Sequence, residues 1–540
     1  MTVKSYGVLQ RTRLTDEVFP DRRKQNRQSA FQVDRKTIDL TGQCVVQLPG
    51  YIDIQDVVQS VIGRDVLHRL GMVVEAEILS DSRGVLLLSG ASQYTYKLSS
   101  GASSAAAQTR ILTGERTLCL DGSGSQKFGY IQVSPISKYF YAAIEADRDP
   151  GTAPTFVYFE GGPGGSSLTA ALRQNGPCIR DFDTRRLRLN LYSWTARANG
   201  MRIDAPAPTG FSVGPVARGT EDFMLDLVDF ITKFTQQNPI FNRDLHLVGT
   251  SSSAAFVAML AARLAEKPQP QVHLAGVMLV SGVVSPIDIY RRAVHMADAR
   301  NLLPKEELSS LKRSMRKLLA CFRISKMTAD LQQCDTQIGQ WNSNGPGKPP
   351  ISAFCNQAVG TCDTAALNPM KEKSISYYDV RVPSGQEETK YVLKSWTIDT
   401  LLNDQEIQQE LGVSKKWEAS YDEVYNAYNK YTTYNTTYFV TSLLDKGLKD
   451  YITNSVGAET WVLNLKGADK YGEKLRGVPR TPVKFGGVEL GMMRALVYSN
   501  QGRLAIIEVT NTGHIIPLYK LLELQQGFYA YLSGDLWKSD

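Results

Sequence analysis

The sequence has no long hydrophobic run and no leader-like beginning. Nowhere in its 540 residues do roughly 18 or more apolar residues follow one another, so we expect no membrane-spanning segment. The segment from Met1 to Gln10 has neither an apolar stretch nor a cleavage signal, which is untypical of classical secretion. We therefore expect a cytoplasmic protein, or one exported by a route without a classical signal peptide.

Patterns typical of metal sites and nucleic-acid binding are also missing. The seven cysteines include no C-x-x-C pair, so we expect no zinc site, no other metal and no cofactor. The net charge of +7 is small for this length, and the basic residues are scattered apart from a group between Arg11 and Arg27. We accordingly expect no nucleic-acid partner.

The length and the local patterns predict several packing units. A chain of 540 residues exceeds one ordinary core, and its 42% hydrophobic and 21% charged residues are typical of a soluble enzyme. Helical spacing over Ile52–Leu70, followed by strand-like runs at Val73–Ile78 and Gly84–Leu88, indicates a small α+β unit. We predict residues 1–30 as a basic flexible tail, 31–115 as this extension, 116–285 and 431–540 as two parts of an α/β core, and 286–430 as an insertion or cap.

Strands and helices alternate from about Phe128 onward. Such alternation predicts a central, mostly parallel sheet covered by helices on both faces. The predicted strands are Tyr139–Ala146, Thr155–Phe159, Leu245–Val248, Leu274–Val280 and Ala505–Val509, and the predicted helices are Asp222–Phe234, Ala254–Leu264, Val456–Leu465 and Leu518–Leu532.

A serine stands between the predicted strand at Leu245–Val248 and the predicted helix that follows. A serine on such a sharp turn presents its hydroxyl above the sheet, and the next backbone amide points at the developing oxyanion. Gly249 and small residues after Ser251 permit the close passage of strand and helix. The competing interpretation of Ser251 is an ordinary helix N-cap.

A glycine-rich turn follows another apolar strand. Phe156–Phe159 leads through Glu160 into Gly161-Gly162-Pro163-Gly164-Gly165-Ser166-Ser167. Glycines allow the backbone to approach a substrate and leave an amide free, as an oxyanion hole requires. A phosphate-binding loop is the alternative, but no Lys-Ser/Thr pair follows the glycines.

These segments resemble the serine carboxypeptidase family. The glycine-rich turn resembles its GGPGCSS signature, with Gly165 in place of the cysteine, and the resemblance covers roughly residues 116–540. Further segments match the family in the same order: Asn175–Cys178, Asn190–Trp194 (NPYSW), Ile203–Ser212 (LDQPxGxGFS), Tyr378–Arg381 (YDIR) and Gly513–Pro517 (GHMVP). The resemblance implies the α/β-hydrolase fold with a helical cap.

The resemblance also implies a catalytic triad. Ser251 is the expected nucleophile, and His514 is the expected general base because it follows a predicted strand in a turn. Asp450-Tyr451-Ile452-Thr453-Asn454 resembles the family segment whose leading aspartate is the triad acid. The apolar strand that precedes it in the family is either deleted here or replaced by Thr436–Leu443, which makes Asp445 the alternative acid. The expected oxyanion donors are the amides of Gly162 and Ser252.

The residues that bind the substrate carboxylate in the family differ here. Its asparagine and two glutamic acids correspond to Glu160, Thr250 and Gln174, and with Gly161 these form the predicted substrate-binding set. Losing two acids that share a proton removes the device that favours acidic pH. Arg173 and Arg180 are candidate replacement carboxylate binders.

Two cysteines of the family are replaced by Gly165 and Ser420. Their loss, together with the missing signal peptide, suggests a reducing compartment.

The sequence therefore predicts a serine hydrolase that forms an acyl-enzyme. Its expected substrate is a peptide C-terminus or another amide or ester, bound with altered carboxylate recognition. An acyltransferase and a catalytically inactive binding module are the alternatives. Residues 1–115 are a possible binding site for a protein partner.

Overall fold

A computed structural model gives the fold of the chain. The residues that it describes are 2–4, 45–47, 85–87, 89–91, 118–119, 123–180, 187–286, 288–289, 292, 374–376, 378–379, 381, 383, 396–429, 431, 434–446, 449–453, 456–485, 487–509, 512–514, 516 and 520–538.

The contacts divide the chain into two compact units, Met1–Thr113 and Gly114–Asp540. The described part of the first unit consists of strands β1 (Thr2–Lys4), β2 (Val45–Gln47), β3 (Val85–Leu87) and β4 (Ser89–Ala91). β1 pairs antiparallel with β4, and β2 pairs antiparallel with β3.

Two of the sequence predictions for this unit can be compared with residues that the structure describes. β3 lies inside the predicted strand Gly84–Leu88, and β1 lies inside the segment 1–30 that we expected to be a tail. The predicted helix Ile52–Leu70 and the predicted strand Val73–Ile78 lie outside the described residues.

The second unit alternates strands and helices. In chain order its elements are β5 (Gln126–Ser134), β6 (Ser137–Ile144), β7 (Thr155–Phe159), α1 (Leu168–Arg173), β8 (Cys178–Arg180), β9 (Leu187–Leu189), β10 (Asn199–Asp204), α2 (Thr220–Gln237), β11 (Leu245–Thr250), α3 (Ser253–Glu266), β12 (Leu274–Val280), α4 (Trp396–Leu402), α5 (Gln405–Leu411), α6 (Asp422–Tyr428), α7 (Thr437–Asp445), β13 (Lys449–Thr453), α8 (Val456–Val462), α9 (Tyr471–Arg476), β14 (Thr481–Phe485), β15 (Val488–Val497), β16 (Arg503–Val509) and α10 (Leu521–Ser533).

Ten of these strands form one twisted sheet in the order β14-β15-β16-β13-β12-β11-β7-β10-β6-β5. The six central strands, from β16 to β10, run parallel to one another. An antiparallel pair of strands closes each edge. The predicted α/β class with a mostly parallel central sheet is confirmed.

Helices cover both faces of the sheet. Alternate residues of a strand point to opposite faces, so Val157 and Leu247 pack with α2 and α3, while Phe156 and Val248 pack with α10. Every residue of β7 is buried, as expected for a central parallel strand covered on both sides.

In the region around β13, one of the two alternatives from the sequence, that Thr436–Leu443 replaces a strand, is wrong. That segment is the helix α7, because Val440, Leu443 and Leu444 lie at helical spacing and are buried against the core that contains α3. The strand is instead β13, in which Asp450 lies.

A smaller apolar cluster joins α4 and α5 to the outer strands β5 and β6. Trp417, Ile398 and Leu402 pack there with Phe140, and the disulfide Cys119–Cys178 lies at the same place. These helices belong to the predicted insertion 286–430.

Among the described residues, no helix has the length and apolar character needed to cross a lipid bilayer.

We predict that Phe528→Ala weakens the core beneath α10. The Phe528 ring is fully buried and stacks on Trp194 with a centroid distance of 4.1 Å. Removing it creates a cavity, so the free energy of unfolding should fall by about 3–5 kcal/mol. Urea unfolding followed by circular dichroism measures this change. The control is Leu225→Ala, because the Leu225 side chain is 54% exposed. Equal effects of the two substitutions would contradict the assigned packing.

Candidate active site

Ser251 lies on a strained turn between β11 and α3. Its φ of +58° is in the left-handed region, which non-glycine residues rarely adopt. Its backbone amide donates to the carbonyl of Val280 at 2.9 Å, which ties the turn to β12. A Cβ on Gly249 would lie 2.9 Å from the Cα of Ala254, so glycine is required where the strand passes the helix. The sequence expectation of a serine on a strand–turn–helix elbow is confirmed.

The glycine-rich turn after β7 lies against this serine. A Cβ on Gly161 would lie 2.6 Å from the Ser251 Cβ and 3.2 Å from its Oγ, so only glycine fits. Gly162 has φ +125°, and the Gly165 amide closes the turn on the Gly161 carbonyl at 2.9 Å. The segment that carries the Gly162 amide is therefore adjacent to the Ser251 side chain.

A buried aspartate at the end of β10 holds the glycine-rich turn in place by hydrogen bonds. Asp204, at the end of β10, accepts hydrogen bonds from the Ser166 hydroxyl at 2.6 Å and from the Ser167 amide at 2.9 Å. Burial raises the pKa of Asp204 to about 6, against the opposing effect of these donors. Trp417 also donates its Nε1 proton to Ser166 at 3.0 Å, so the insertion supports the turn as well.

His514 reaches Ser251 from far along the chain. Its Nε2 lies 2.9 Å from the Ser251 Oγ, within hydrogen-bond distance. The His514 backbone amide donates to the carbonyl of Tyr378 at 2.7 Å, and the two rings have a centroid distance of 5.6 Å. The sequence match at Tyr378–Arg381 predicts no role for this segment. In the structure its Tyr378 carbonyl positions His514, and an ion pair of 2.8 Å between Arg381 and Asp379 stabilises the segment itself.

The imidazole remains neutral over most of the pH range. Burial lowers the pKa of His514 to about 4, because it disfavours the charged form. Among the described residues, no carboxylate forms a hydrogen bond or ion pair with this imidazole, and a neutral ring at Nε2 can accept the proton of the Ser251 hydroxyl.

The two candidate acids lie at different levels of the sheet. Asp450 is level with Val277 and Leu247 in the register, three positions before Thr453, which is level with Thr250. Three residues of strand span about 10 Å, so the Asp450 backbone lies that far below the carboxyl edge. Its side chain lies outside the described residues.

Asp445 lies at the opposite edge from Ser251. It ends α7, ahead of the first residue of β13, and accepts hydrogen bonds from the Tyr471 hydroxyl at 2.7 Å and from the Ala468 amide at 3.0 Å. Because β13 runs parallel to β11, the beginning of β13 is remote from the end that carries the nucleophile. The structure therefore does not bring Asp445 to Ser251 and His514.

The remaining predicted substrate residues meet around a tyrosine that the sequence analysis missed. The Tyr158 hydroxyl accepts from the Thr250 hydroxyl at 2.9 Å and lies 3.3 Å from the Gln174 Oε1 and 3.5 Å from the Glu160 Oε2. Burial raises the pKa of Tyr158 well above its usual value, so its hydroxyl keeps its proton. The alternation of β7 could have identified it, because Tyr158 is two positions before Glu160.

Glu160 is the acidic member of this group. Its Oε1 accepts the amide proton of Gly161 at 3.0 Å. Burial raises the pKa of the Glu160 carboxyl, while the Gly161 amide and the positive charge of Arg173 oppose that shift. Arg173 ends α1, whereas Arg180, the other arginine singled out from the sequence, ends β8.

Gly165 and Ser420, the two positions where the family has cysteines, lie opposite each other. They form an isolated antiparallel bridge, which the Ser166 amide and the Ala419 carbonyl extend with a hydrogen bond of 3.0 Å.

Among the described residues, no three or more His, Cys, Asp or Glu side chains cluster in a way that could hold a metal ion.

We predict that the low pKa of His514 makes the folded state less stable in acid. Between about pH 6.5 and pH 4 the unfolded chain takes up a proton that the folded imidazole resists, so the free energy of unfolding falls as pH falls. The expected loss is on the order of 1–3 kcal/mol. Urea unfolding of the wild type and of His514→Gln at pH 7 and pH 4.5 isolates this contribution. An identical pH dependence in both proteins would contradict the assignment.

Comparison with known proteins agrees with the fold and with these motifs. The sequence model of the serine carboxypeptidase family matches residues 120–534. A carboxypeptidase Y homolog A from Trichophyton verrucosum is 24% identical over 77% of this chain and 76% of its own length. A vacuolar serine-type carboxypeptidase of Saccharomyces cerevisiae is 24% identical over 76% of this chain and 80% of its own length.

A solved structure supports the same architecture. The prohormone-processing carboxypeptidase Kex1(delta)p from Saccharomyces cerevisiae superimposes with a TM-score of 0.59 at 16% identity, covering 77% of this chain and 92% of that one. At this identity the likeness establishes the fold alone, whereas the family match spans most of the sequence. The chain is a divergent member of the serine carboxypeptidase family, with the α/β-hydrolase fold and the hydrolase character of that family.

Proposed function

We propose that the protein cleaves acyl substrates through a covalent Ser251 acyl-enzyme. The observation that carries this proposal is the 2.9 Å contact between the Ser251 Oγ and the His514 Nε2. In the reaction, Oγ bonds to the substrate carbonyl carbon while its proton passes to Nε2. The imidazolium then gives that proton to the leaving group as the amide or ester bond breaks. Water, deprotonated by the same imidazole, hydrolyses the acyl-enzyme.

The oxyanion is proposed to bind the backbone amides of Gly162 and Ser252. The Gly162 amide belongs to the turn that contacts Ser251, and the Ser252 amide lies at the beginning of α3, where the first amides have no acceptor within the helix. Both groups are held by packed elements, so little reorganisation is needed as charge develops on the carbonyl oxygen.

Asp450 is proposed as the third member of the triad. Its place in the sequence match supports this role over that of Asp445, whose carboxylate lies at the remote edge of the sheet and accepts a hydrogen bond from Tyr471. A carboxylate on the Nδ1 side would fix the tautomer and the orientation of the imidazole.

The proposed substrates are peptides or other amides and esters with altered carboxylate recognition. Glu160, Gln174 and Thr250 surround the Tyr158 hydroxyl, so the predicted substrate set forms one group beside Gly161. That group contains one carboxyl instead of a proton-sharing pair. We therefore expect the pH optimum on peptides with a free C-terminal carboxylate to lie no lower than about 6.

We predict that a fluorophosphonate probe labels Ser251. Only a serine activated by a base reacts at a useful rate, so the wild type should be labelled while Ser251→Ala should not. His514→Ala should slow labelling by at least about 10³-fold, because the base is missing. In-gel fluorescence and mass spectrometry of the labelled peptide measure this. A folded wild type that resists the probe would instead support the inactive binding module.

We predict that Asp450→Asn slows labelling by at least about 10²-fold, because the imidazole loses the carboxylate that orients it. The matched control is Asp445→Asn, which removes a carboxylate at the other edge of the sheet. The second-order rate constant of labelling is the measured quantity, and the melting temperature reports folding. Equal rates in Asp450→Asn and the wild type would exclude Asp450 as the acid.

A further inference from the structure

The Glu160 carboxylate already occupies the hydrogen-bond donor next to the nucleophile. The Gly161 amide donates to the Glu160 Oε1 at 3.0 Å, in a residue packed so close to Ser251 that an added Cβ would clash with the serine. A substrate carboxylate that approached this amide would meet a carboxylate that is already bound there. An ionised Glu160 and a substrate carboxylate at hydrogen-bond distance repel each other strongly when they are shielded from water. Burial raises the pKa of Glu160, so this repulsion is strongest at neutral and higher pH.

The position of Glu160 is fixed relative to the catalytic turn. The backbone carbonyl of Glu160 accepts a hydrogen bond from the Ser253 hydroxyl at 2.5 Å. Its backbone amide donates to the Ser167 hydroxyl at 3.1 Å. Ser253 begins α3 directly behind Ser251, and Ser167 precedes α1. The backbone of Glu160 is therefore attached to both elements that form the site, and its carboxyl is held by the Gly161 amide.

The side chains behind Glu160 are neutral. The Thr250 hydroxyl donates to the Tyr158 hydroxyl, whose proton is directed toward Gln174 or Glu160 at 3.3 and 3.5 Å. None of the three can share a proton with Glu160 as a second carboxyl would. The carboxyl also has a hydrogen bond with the Thr169 side chain. A carboxylate has about four acceptor positions, and the contact of Oε2 with Tyr158 is long, so the carboxyl can accept a further hydrogen bond from a substrate.

The positive charge of Arg173 limits which substrate groups can donate a hydrogen bond to the Glu160 carboxyl. Arg173 lowers the pKa of Glu160 by its charge, which means that the two groups attract each other. A second cation placed at the same carboxylate would be repelled by Arg173. A neutral N–H donor satisfies Glu160 without that repulsion, whereas a substrate carboxylate would be attracted by Arg173 and repelled by an ionised Glu160.

We propose that the leaving-group subsite accepts a carboxamide, so that the enzyme acts on C-terminally amidated peptides in preference to free acids. This inference rests on the proposed Ser251 acyl-enzyme. The terminal –CONH₂ donates to Glu160, the peptide bond before the last residue breaks, and the departing amine takes the proton from His514. The products are the shortened peptide acid, after hydrolysis by water, and an amino-acid amide.

The test compares one N-blocked dipeptide as its C-terminal amide and as its free acid at pH 7.5. Active-site titration with a fluorophosphonate first gives the concentration of reactive serine, so each kcat/KM refers to working sites. We expect the wild type to prefer the amide by at least about tenfold, because a site built for an N–H donor rejects a ligand that lacks one. Glu160→Gln should shift the ratio toward the free acid by at least about tenfold.

The control is Glu473→Gln, which removes an exposed carboxylate paired with Lys470 on the surface and should leave the ratio unchanged. A wild type that prefers the free acid, cleaves neither dipeptide although its serine is labelled, or shares its ratio with Glu160→Gln overturns the carboxamide subsite. Failure of labelling in the wild type overturns the proposed acyl-enzyme instead. The wild-type ratio decides the question even if Glu160→Gln does not fold.

Discussion

The close approach of the Gly161 turn to Ser251 is the constraint on which the site depends. A Cβ at position 161 would lie only 2.6 Å from the Ser251 Cβ. The loop after β7 therefore fits against the serine turn only when residue 161 is glycine. This approach places the serine hydroxyl beside Gly161, whose amide is bonded to the Glu160 carboxyl and which precedes the proposed oxyanion donor Gly162. Strand β7 and strand β11 are hydrogen-bonded neighbours, so the register of the sheet sets this arrangement before any side chain contributes.

Much of this could be predicted from the sequence, because it depends on short-range patterns. The continuous apolar run at Thr155–Phe159 and the strand–serine–helix pattern at Leu245–Leu264 predict buried strands and an elbow, and both are observed. The pairing of Ser251 with His514, which are 263 residues apart, followed from the order of motifs and not from local propensity. The positions that replace the family's carboxylate-binding residues were also identifiable one by one.

Tertiary contacts decided what the sequence did not predict. Thr436–Leu443 has strand-like residues, yet its apolar side chains are spaced for a helix that packs on the core. Tyr158 was missed because a tyrosine inside a buried strand is usually part of the core, and only its alternation with Glu160 along β7 pointed to the site. The role of Tyr378 depends on a backbone carbonyl, which carries no trace of residue type. The compartment and the partner of residues 1–115 stay predictions, since they depend on properties outside the fold.

The bridge between Gly165 and Ser420 has a consequence for how the insertion is attached. Where the family has cysteines, this chain holds the same two segments by backbone pairing and by the hydrogen bond of Trp417 to Ser166. The Lys415 ammonium ties the same part of the insertion to the carbonyls of Gly210 and Ser212 at 2.8 and 2.9 Å. These direct links contain no sulfur and need no oxidation to form. The disulfide Cys119–Cys178 packs in the apolar cluster that contains Trp417, so thiol–disulfide balance reaches the glycine-rich turn only through that packing.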